Sequence, residues 1–395
     1  IKNDPIASRA GIESDKQYGS VIPPLYLSTN FVFDEVGHLP EYDYTRCGNP
    51  TRDILANALS EIEGGVGAEI TSSGMAAISL VANILDLNAS VILPHDCYGG
   101  THRLFTSLKE KGVLDIHFIN QGNLQATIKK IDEIKPALIW LETPSNPLLQ
   151  VVDIQAISAA GKLVNALIAV DNTFLSPVLQ NPLKLGADIV VHSTTKYING
   201  HSDVIGGAAI TNNQELLTKL KYWANNLGLT GSPFDSYQTM RGLRTLSLRM
   251  EKHEKNAKAL VEVLSNNKKV AKVYYPGLPH HESHDIAKKQ QNGFGGMFSF
   301  ELEGGLPAVK KFFAEIKNFA LAESLGGFES LICHPYTMTH APLSPEEKEA
   351  AGISEGLVRI STGLENTDDL IDDLNASPFS SGEKSRSLMP SGDDR

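Results

Sequence analysis

The chain has 395 residues, 41% hydrophobic and 21% charged, with a formal net charge of −11. That length exceeds what one core usually serves and predicts two domains, and the acidic balance speaks against nucleic acid as a partner. No stretch approaches the ~20 apolar residues of a membrane span, and no apolar signal core follows Ile1, whose position without a preceding Met places the native start upstream.

Residues 1–50 are rich in Pro, Tyr and Gly and carry little periodic pattern, so they read as an extended arm with brief helical or turn pieces. A helix is expected from Thr51, with Ile54, Leu55, Ala58, Leu59 and Ile62 on one face and Gly64-Gly65 as its stop. Ser72-Ser73-Gly74 introduces a second amphipathic stretch carrying Met75, Ile78, Val81, Ala82 and Leu85. A repeated grammar follows, in which short apolar runs end abruptly in polar residues. Ser90–Leu93, Ile116–Ile119, Ala137–Leu141, Leu167–Val170 and Ala187–Val191 are such runs, separated by helical-length segments. This pattern predicts an α/β domain with a mostly parallel sheet covered on both faces, over residues 51–245. In such sheets ligands bind beyond the carboxyl ends of the strands, where this sequence places its polar residues.

A long helix near Ser236–Leu264 is expected to lead into a smaller α+β domain, residues 246–375, with strand-like runs at Gly296–Phe300 and Leu357–Ile360. Residues 376–395 are Ser, Pro, Gly and charge, and read as a disordered tail. No internal repeat is visible. Cys47, Cys97 and Cys333 are widely spaced and give neither a disulfide framework nor a metal-ligand spacing, which predicts structural thiols, no metal and a cytoplasmic location.

Neither GxxxxGK[ST] nor GxGxxG occurs, so a nicotinamide dehydrogenase lacks its fingerprint. The informative segment is ADIVVHSTTKYINGHSD, Ala187–Asp203, which resembles the cofactor-lysine signature of the cystathionine-type (Cys/Met metabolism) pyridoxal-phosphate enzymes. The resemblance extends through YDYTRCGNPTR at Tyr42–Arg52, SSGMAAI at Ser72–Ile78 and PHDCYGGTHRLF at Pro94–Phe105. It continues through ETPSNP at Glu142–Pro147, VDNTFLSPVLQNPLKLGAD at Val170–Asp188 and AESLGGFESL at Ala322–Leu331. Together these span about Tyr18 to Leu374 in family order. They imply the aspartate-aminotransferase-like fold (fold type I), pyridoxal 5'-phosphate as cofactor, and a homo-oligomer, a tetramer built from dimers with shared sites.

Each residue also has a plainer reading. Most lysines are solvated surface charges, but Lys196 follows a buried-strand pattern among hydroxyls, and a desolvated lysine can form an imine with an aldehyde. The resemblance makes it the cofactor lysine and the proton carrier. Asp171 ends a strand and could be a turn cap; the resemblance sets it against the pyridine nitrogen. Gly74 and Met75 open a helix whose free N–H groups suit a phosphate, with Ser193 and Thr195 hydroxyls beside the lysine. Arg46 and Tyr44 are implied to serve the neighbouring subunit's phosphate, against a weak surface ion pair for Arg46. Tyr98 is implied to stack on the cofactor ring, against ordinary aromatic packing. Arg359, otherwise a solvent-facing charge in a strand, is implied to fork the substrate α-carboxylate with Asn146 and Ser324. His192 and His201 read as hydrogen-bonded core or loop residues.

Within the family, Trp223–Leu246, Arg103 and Glu323 resemble the γ-replacing synthases, which join O-succinyl- or O-acetylhomoserine to cysteine and give cystathionine. Gly100 stands where methionine γ-lyases carry a reactive cysteine. Asp43, Arg103 and Glu323 are expected around the substrate's distal end. A γ-lyase cleaving cystathionine is the alternative, and a catalytically silent cofactor-binding protein is a reading from another class, opposed by Lys196, Asp171, Tyr98 and Arg359 occurring together.

Overall fold

The structure, a computed structural model, describes residues 4–341 and 343–376. Seven strands form the larger sheet: β1 Gly67–Thr71, β2 Ser90–Pro94, β3 Asp115–Ile119, β4 Leu138–Glu142, β5 Leu167–Asp171, β6 Ile189–His192 and β7 Gly207–Thr211. Their order is β1-β7-β6-β5-β4-β2-β3. All neighbours are parallel except β7, which runs antiparallel to both β1 and β6. Every residue of β4, β6 and β7 is buried, as a sheet covered on both faces requires. Alternate residues go to opposite cores: Trp140, Ala169 and Val191 join one apolar cluster, Ile139, Leu141, Ile168 and Val170 another.

The helices begin and end where their local chemistry demands. Asn49 caps Pro50–Glu63 by accepting from the Thr51 and Arg52 amides, and Gly64 ends it in the left-handed region at φ 79°. Ser73 caps Gly74–Asn83 by accepting from the Ala76 amide at 3.0 Å.

The smaller sheet holds β8 Val270–Tyr274, β9 Met297–Leu302, β10 Ala320–Leu321, β11 Leu331–Cys333 and β12 Leu357–Ser361, in the order β10-β11-β12-β9-β8. One buried cluster runs from Leu55 and Leu59 through Met240, Leu243 and Met250 to Phe298, Phe300 and Val358, so the two sheets share packing. The arm has a short helix, Asp4–Ser8, and an isolated bridge between Asn30 and Tyr44; Tyr18, Val32 and Val36 on it are 81%, 89% and 104% exposed.

Two expectations need correction. The single helix near Ser236–Leu264 is two, Pro233–Leu243 and Leu246–Ser265. The first ends at Leu243, and Gly242 in its last turn has no room for a side chain: a Cβ would lie 2.1 Å from the Asn199 oxygen, and its carbonyl accepts from Arg249 Nη2 at 2.7 Å. Strands β1 and β7 were absent from the sequence reading because GAEIT and GAAIT lack a run of branched apolar residues. Their small residues are required by packing: a Cβ on Gly207 would fall 2.2 Å from the Ser73 oxygen. The expected tail, from 377 onward, lies outside the described residues, whereas Ala376 ends the helix Thr367–Ala376.

Candidate active site

Strands β4, β5 and β6 are neighbours and parallel, so their carboxyl ends meet at one edge of the sheet. There Glu142, Asp171 and the loop Ser193–Lys196 face a cavity of about 310 Å³. The helix Gly74–Asn83 points its N-terminus into the same space, Tyr98 walls one side, and β12 contributes Arg359. The cavity brings together Gly74, Met75, Tyr98, Asn146, Asp171, Ser193, Thr195, Lys196, Glu323, Ser324 and Arg359.

Lys196 Nζ donates to Ser324 Oγ at 2.8 Å. Burial, then the Arg359 guanidinium, pull its pKa down to about 8, against the opposing pull of Glu323. Ser324 sits at φ 90°, a conformation that costs a non-glycine residue energy and that the surroundings must enforce. Arg359 is only 3% exposed; Nη1 donates to Asn146 Oδ1 at 2.8 Å and Nη2 to the Ser324 carbonyl at 2.9 Å. Its Nε is buried without a hydrogen-bond partner, and no carboxylate pairs with the guanidinium among the described residues. A buried cation with only neutral acceptors around it is suited to an anion from outside.

Asp171 is partly buried, and Oδ1 accepts from the Thr173 amide at 3.0 Å. Burial raises its pKa, while the Thr173 hydrogen bonds and His192 act to lower it. The Tyr98 amide donates to Glu142 Oε2 at 2.7 Å, and the ring is 46% exposed. Gly100 keeps room for that ring: a Cβ there would lie 2.5 Å from Tyr98 Cε1 and 2.6 Å from Met75 Sδ.

The donor set fits a phosphorylated aromatic aldehyde. Gly74 packs so closely on Ser193 that a Cβ would come within 2.8 Å of the Ser193 Cβ, so the helix start at Gly74 and Met75 and the Ser193 side chain border the cavity together. First-turn amides have no acceptor within their own helix and favour an anion. Lys196 offers an amine with which an aldehyde could form an imine, and Asp171 a carboxylate that a ring nitrogen could face.

Four expected residues lie elsewhere. Arg103 is exposed and lines an adjoining cavity of about 230 Å³ that shares Asn146 and Thr339 with the first. Asp43, Tyr44 and Arg46 line neither; Arg46 donates to the Asn225 carbonyl at 2.9 Å and to its side chain. Arg52 Nη1 holds this loop by donating to the Thr45 carbonyl at 2.8 Å. His192 is fully buried with Nε2 2.6 Å from Glu63 Oε1, and His201 Nδ1 lies 2.7 Å from the Asn199 oxygen. Cys47, Cys97 and Cys333 are unpaired. The sequence reading missed Glu142, Thr173 and Thr339 as lining residues; Glu142 carried the same signal as Asp171, an acid directly after a buried apolar run.

A sequence model of the family described as "Cys/Met metabolism PLP-dependent enzyme" matches residues 4–378. Cystathionine gamma-synthase of Escherichia coli (strain K12) is 52% identical over 374 residues, 94% of this chain and 97% of that protein. Cystathionine gamma-lyase of Dictyostelium discoideum is 46% identical over 366 residues, 92% of this chain and 94% of that protein. Among solved structures, cystathionine gamma synthase from Xanthomonas oryzae pv. oryzae in complex with aminoacrylate and cysteine superposes with a TM-score of 0.93 at 52% identity, covering 95% of this chain and 97% of that one. The same figures hold for its complex with cystathionine.

Proposed function

Because the chain belongs to the Cys/Met metabolism PLP-dependent enzymes, we propose that it acts as a cystathionine γ-synthase. The reaction joins O-succinyl- or O-acetylhomoserine to L-cysteine, forming the Cγ–S bond of cystathionine as the Cγ–O bond breaks and the carboxylate leaves. The observation that carries the synthase reading is the 52% identity, over nearly the whole chain, to synthases of two organisms, one of them solved with cysteine and with cystathionine. The γ-lyase relative at 46% identity supports the second reading, cleavage of cystathionine.

Lys196 would hold pyridoxal phosphate, with Gly74, Met75, Ser193 and Thr195 at its phosphate, and the cofactor would supply an electron sink that acidifies the substrate's Cα–H. Asp171 would face the ring nitrogen and favour its protonated form. Arg359 is already aimed by Asn146 and Ser324 and clamps the α-carboxylate, which fixes the orientation of the Cα–H bond. The Lys196 amine, with a pKa brought to about 8, can take up and release a proton near neutral pH, so it can take the proton from Cα and redistribute protons along the chain. Ser324 Oγ accepts from Nζ and holds the amine on the cavity side. Tyr98, which lines the cavity, would cover the ring face. Glu323 stands within the cavity and Arg103 in the adjoining one, where they would meet the acyl chain or the polar end of cysteine.

Residues 1–50 are proposed to act on a second copy, in a cytoplasmic homotetramer built from dimers, whose subunits divide into the 51–245 and 246–375 domains. Tyr44 and Arg46 would then reach the neighbouring phosphate, with Asp43 beside the substrate. The exposed apolar side chains of the arm support this, as does the distance of Tyr44 and Arg46 from their own cavity's lining. The test is direct. O-succinylhomoserine, O-acetylhomoserine and cystathionine are each offered with and without cysteine. Cystathionine formation should exceed its cleavage; faster release of 2-oxobutyrate and cysteine from cystathionine would replace the synthase by the γ-lyase.

A further inference from the structure

Glu142 is a buried acid in the cavity to which the mechanism above gives no task. It is 6% exposed and ends β4 just as Asp171 ends β5, the two being direct partners in the parallel register. Trp140 and Ala169, two residues earlier on each strand, pack in one cluster, so Glu142 and Asp171 project from the same face. Adjacent strands lie about 4.8 Å apart, which brings two carboxyl groups side by side in a poorly solvated space. Two such groups do not readily ionise together. We propose that Glu142 is a positioning residue of this site: uncharged beside an ionised Asp171, it fixes the Tyr98 backbone and with it the ring that walls the cavity.

The surroundings of the two acids differ in the required direction. Asp171 is the member that opens on the cavity, where a protonated ring nitrogen would compensate its charge. The groups facing Glu142 are Asp171 on β5, Asp96 and Cys97 after β2, and the backbone amides of Tyr98 and Asn146, and among the described residues no Lys or Arg forms an ion pair with it. Burial and the Asp171 charge both push its carboxyl well up. A neutral carboxyl still accepts from the Tyr98 amide through one oxygen, the 2.7 Å hydrogen bond in the structure. Tyr98 precedes the helix Gly99–Glu110 without a side-chain cap of its own, so this contact is what ties that helix start to the sheet edge.

This inference rests on the cofactor reading of the site, and the experiment separates the two. If wild-type protein takes up no pyridoxal phosphate, the cofactor reading fails before any variant is made. With wild type loaded, Glu142→Gln keeps a neutral acceptor for the Tyr98 amide. Its cofactor Kd should stay within about twofold, and the pH midpoint of the lysine-bound cofactor's visible absorbance within about 0.3 unit of wild type. Glu142→Ala removes the acceptor and should weaken cofactor binding by about tenfold or more. If Glu142 were ionised, Gln would delete a negative charge near the protonated cofactor, and the midpoint would fall by more than about 1 unit; that result overturns the proposal. An Ala variant with wild-type Kd and midpoint overturns it as well. Should the Ala variant not fold, the Gln titration alone decides between an uncharged and a charged Glu142.

Discussion

Arg359→Met tests the site most sharply, because activity and stability should move independently. The wild-type guanidinium is 97% removed from solvent, has only the Asn146 amide oxygen and the Ser324 carbonyl as hydrogen-bonded oxygen acceptors, and has an unsatisfied Nε. A substrate carboxylate would add two charge-assisted hydrogen bonds worth about 1.5–2 kcal/mol each, so their loss lowers kcat/KM by about 10²–10³-fold. Most of that should appear in KM, since the carboxylate is bound alike before and during the chemistry. Folding is a different matter. Met is similar in length and brings no unpaired charge into the core, and replacing a buried ion by an apolar side chain is often neutral or favourable. Two neutral acceptors lose their donor, which offsets part of the gain, so the apo protein should keep its stability within about 1–2 kcal/mol. Steady-state kinetics with O-succinylhomoserine and cysteine, beside urea unfolding of the apo protein, measure both. A kcat/KM reduced less than about tenfold, or a loss of activity matched by loss of folded protein, would refute the reasoning.

Lys196→Ala should abolish the visible absorbance of lysine-bound cofactor and lower turnover by about 10³-fold or more; retained colour and rate would mean that another lysine holds it. Mixing inactive Arg46→Ala with inactive Lys196→Ala subunits should restore part of the activity through hybrid sites, and no recovery in demonstrated hybrids counts against sharing. The folded-state pKa of Lys196 is depressed from 10.5 to about 8. The unfolded chain therefore keeps a proton that the folded apo protein releases, and apo stability should rise with pH between about 8 and 10.5. Over the same lower range, uptake of pyridoxal phosphate should accelerate as the amine becomes neutral near pH 8 rather than near 10.5, followed by stopped-flow absorbance.

The legible part of this molecule is the part where local pattern and tertiary role coincide. An apolar run buried on both faces, cut off by a polar residue, marked β4, β5 and β6 and placed Asp171 and Lys196 at their ends. The same rule should have singled out Glu142, but an acid after a strand reads as a cap until its neighbour across the ladder is known. Strands β1 and β7 stayed hidden because their small residues answer to the helix packed over them and carry little strand propensity. The break after Leu243 was invisible in the segment's own periodicity, and the contacts of Gly242 with Asn199 and Arg249 beside it are tertiary. By its own pattern Arg359 looked like an ordinary strand charge; the family resemblance singled it out, and its burial agrees with that reading.

The site is accordingly a property of how the two sheets dock. Lys196 meets Ser324 across 128 residues and Arg359 meets Asn146 across 213. Ser193–Lys196 on a free peptide would leave the lysine solvated with an ordinary pKa; what lowers it is burial together with the charge that β12 brings from the smaller sheet. That sheet is held against the larger one through Met240, Leu243, Met250, Phe298 and Phe300, none of which lines the cavity. Packing there fixes the spacing between Arg359, proposed to grip the substrate, and Lys196, proposed to move its protons, and a small displacement of either would be costly in rate. The glycines at 74 and 100 serve the same end from the other side, keeping the helix against Ser193 and the Tyr98 ring in place at distances no Cβ would allow. The resemblance of the motifs along the chain thus reflects a geometric requirement: each motif supplies one wall, and the chemistry exists only where the walls meet.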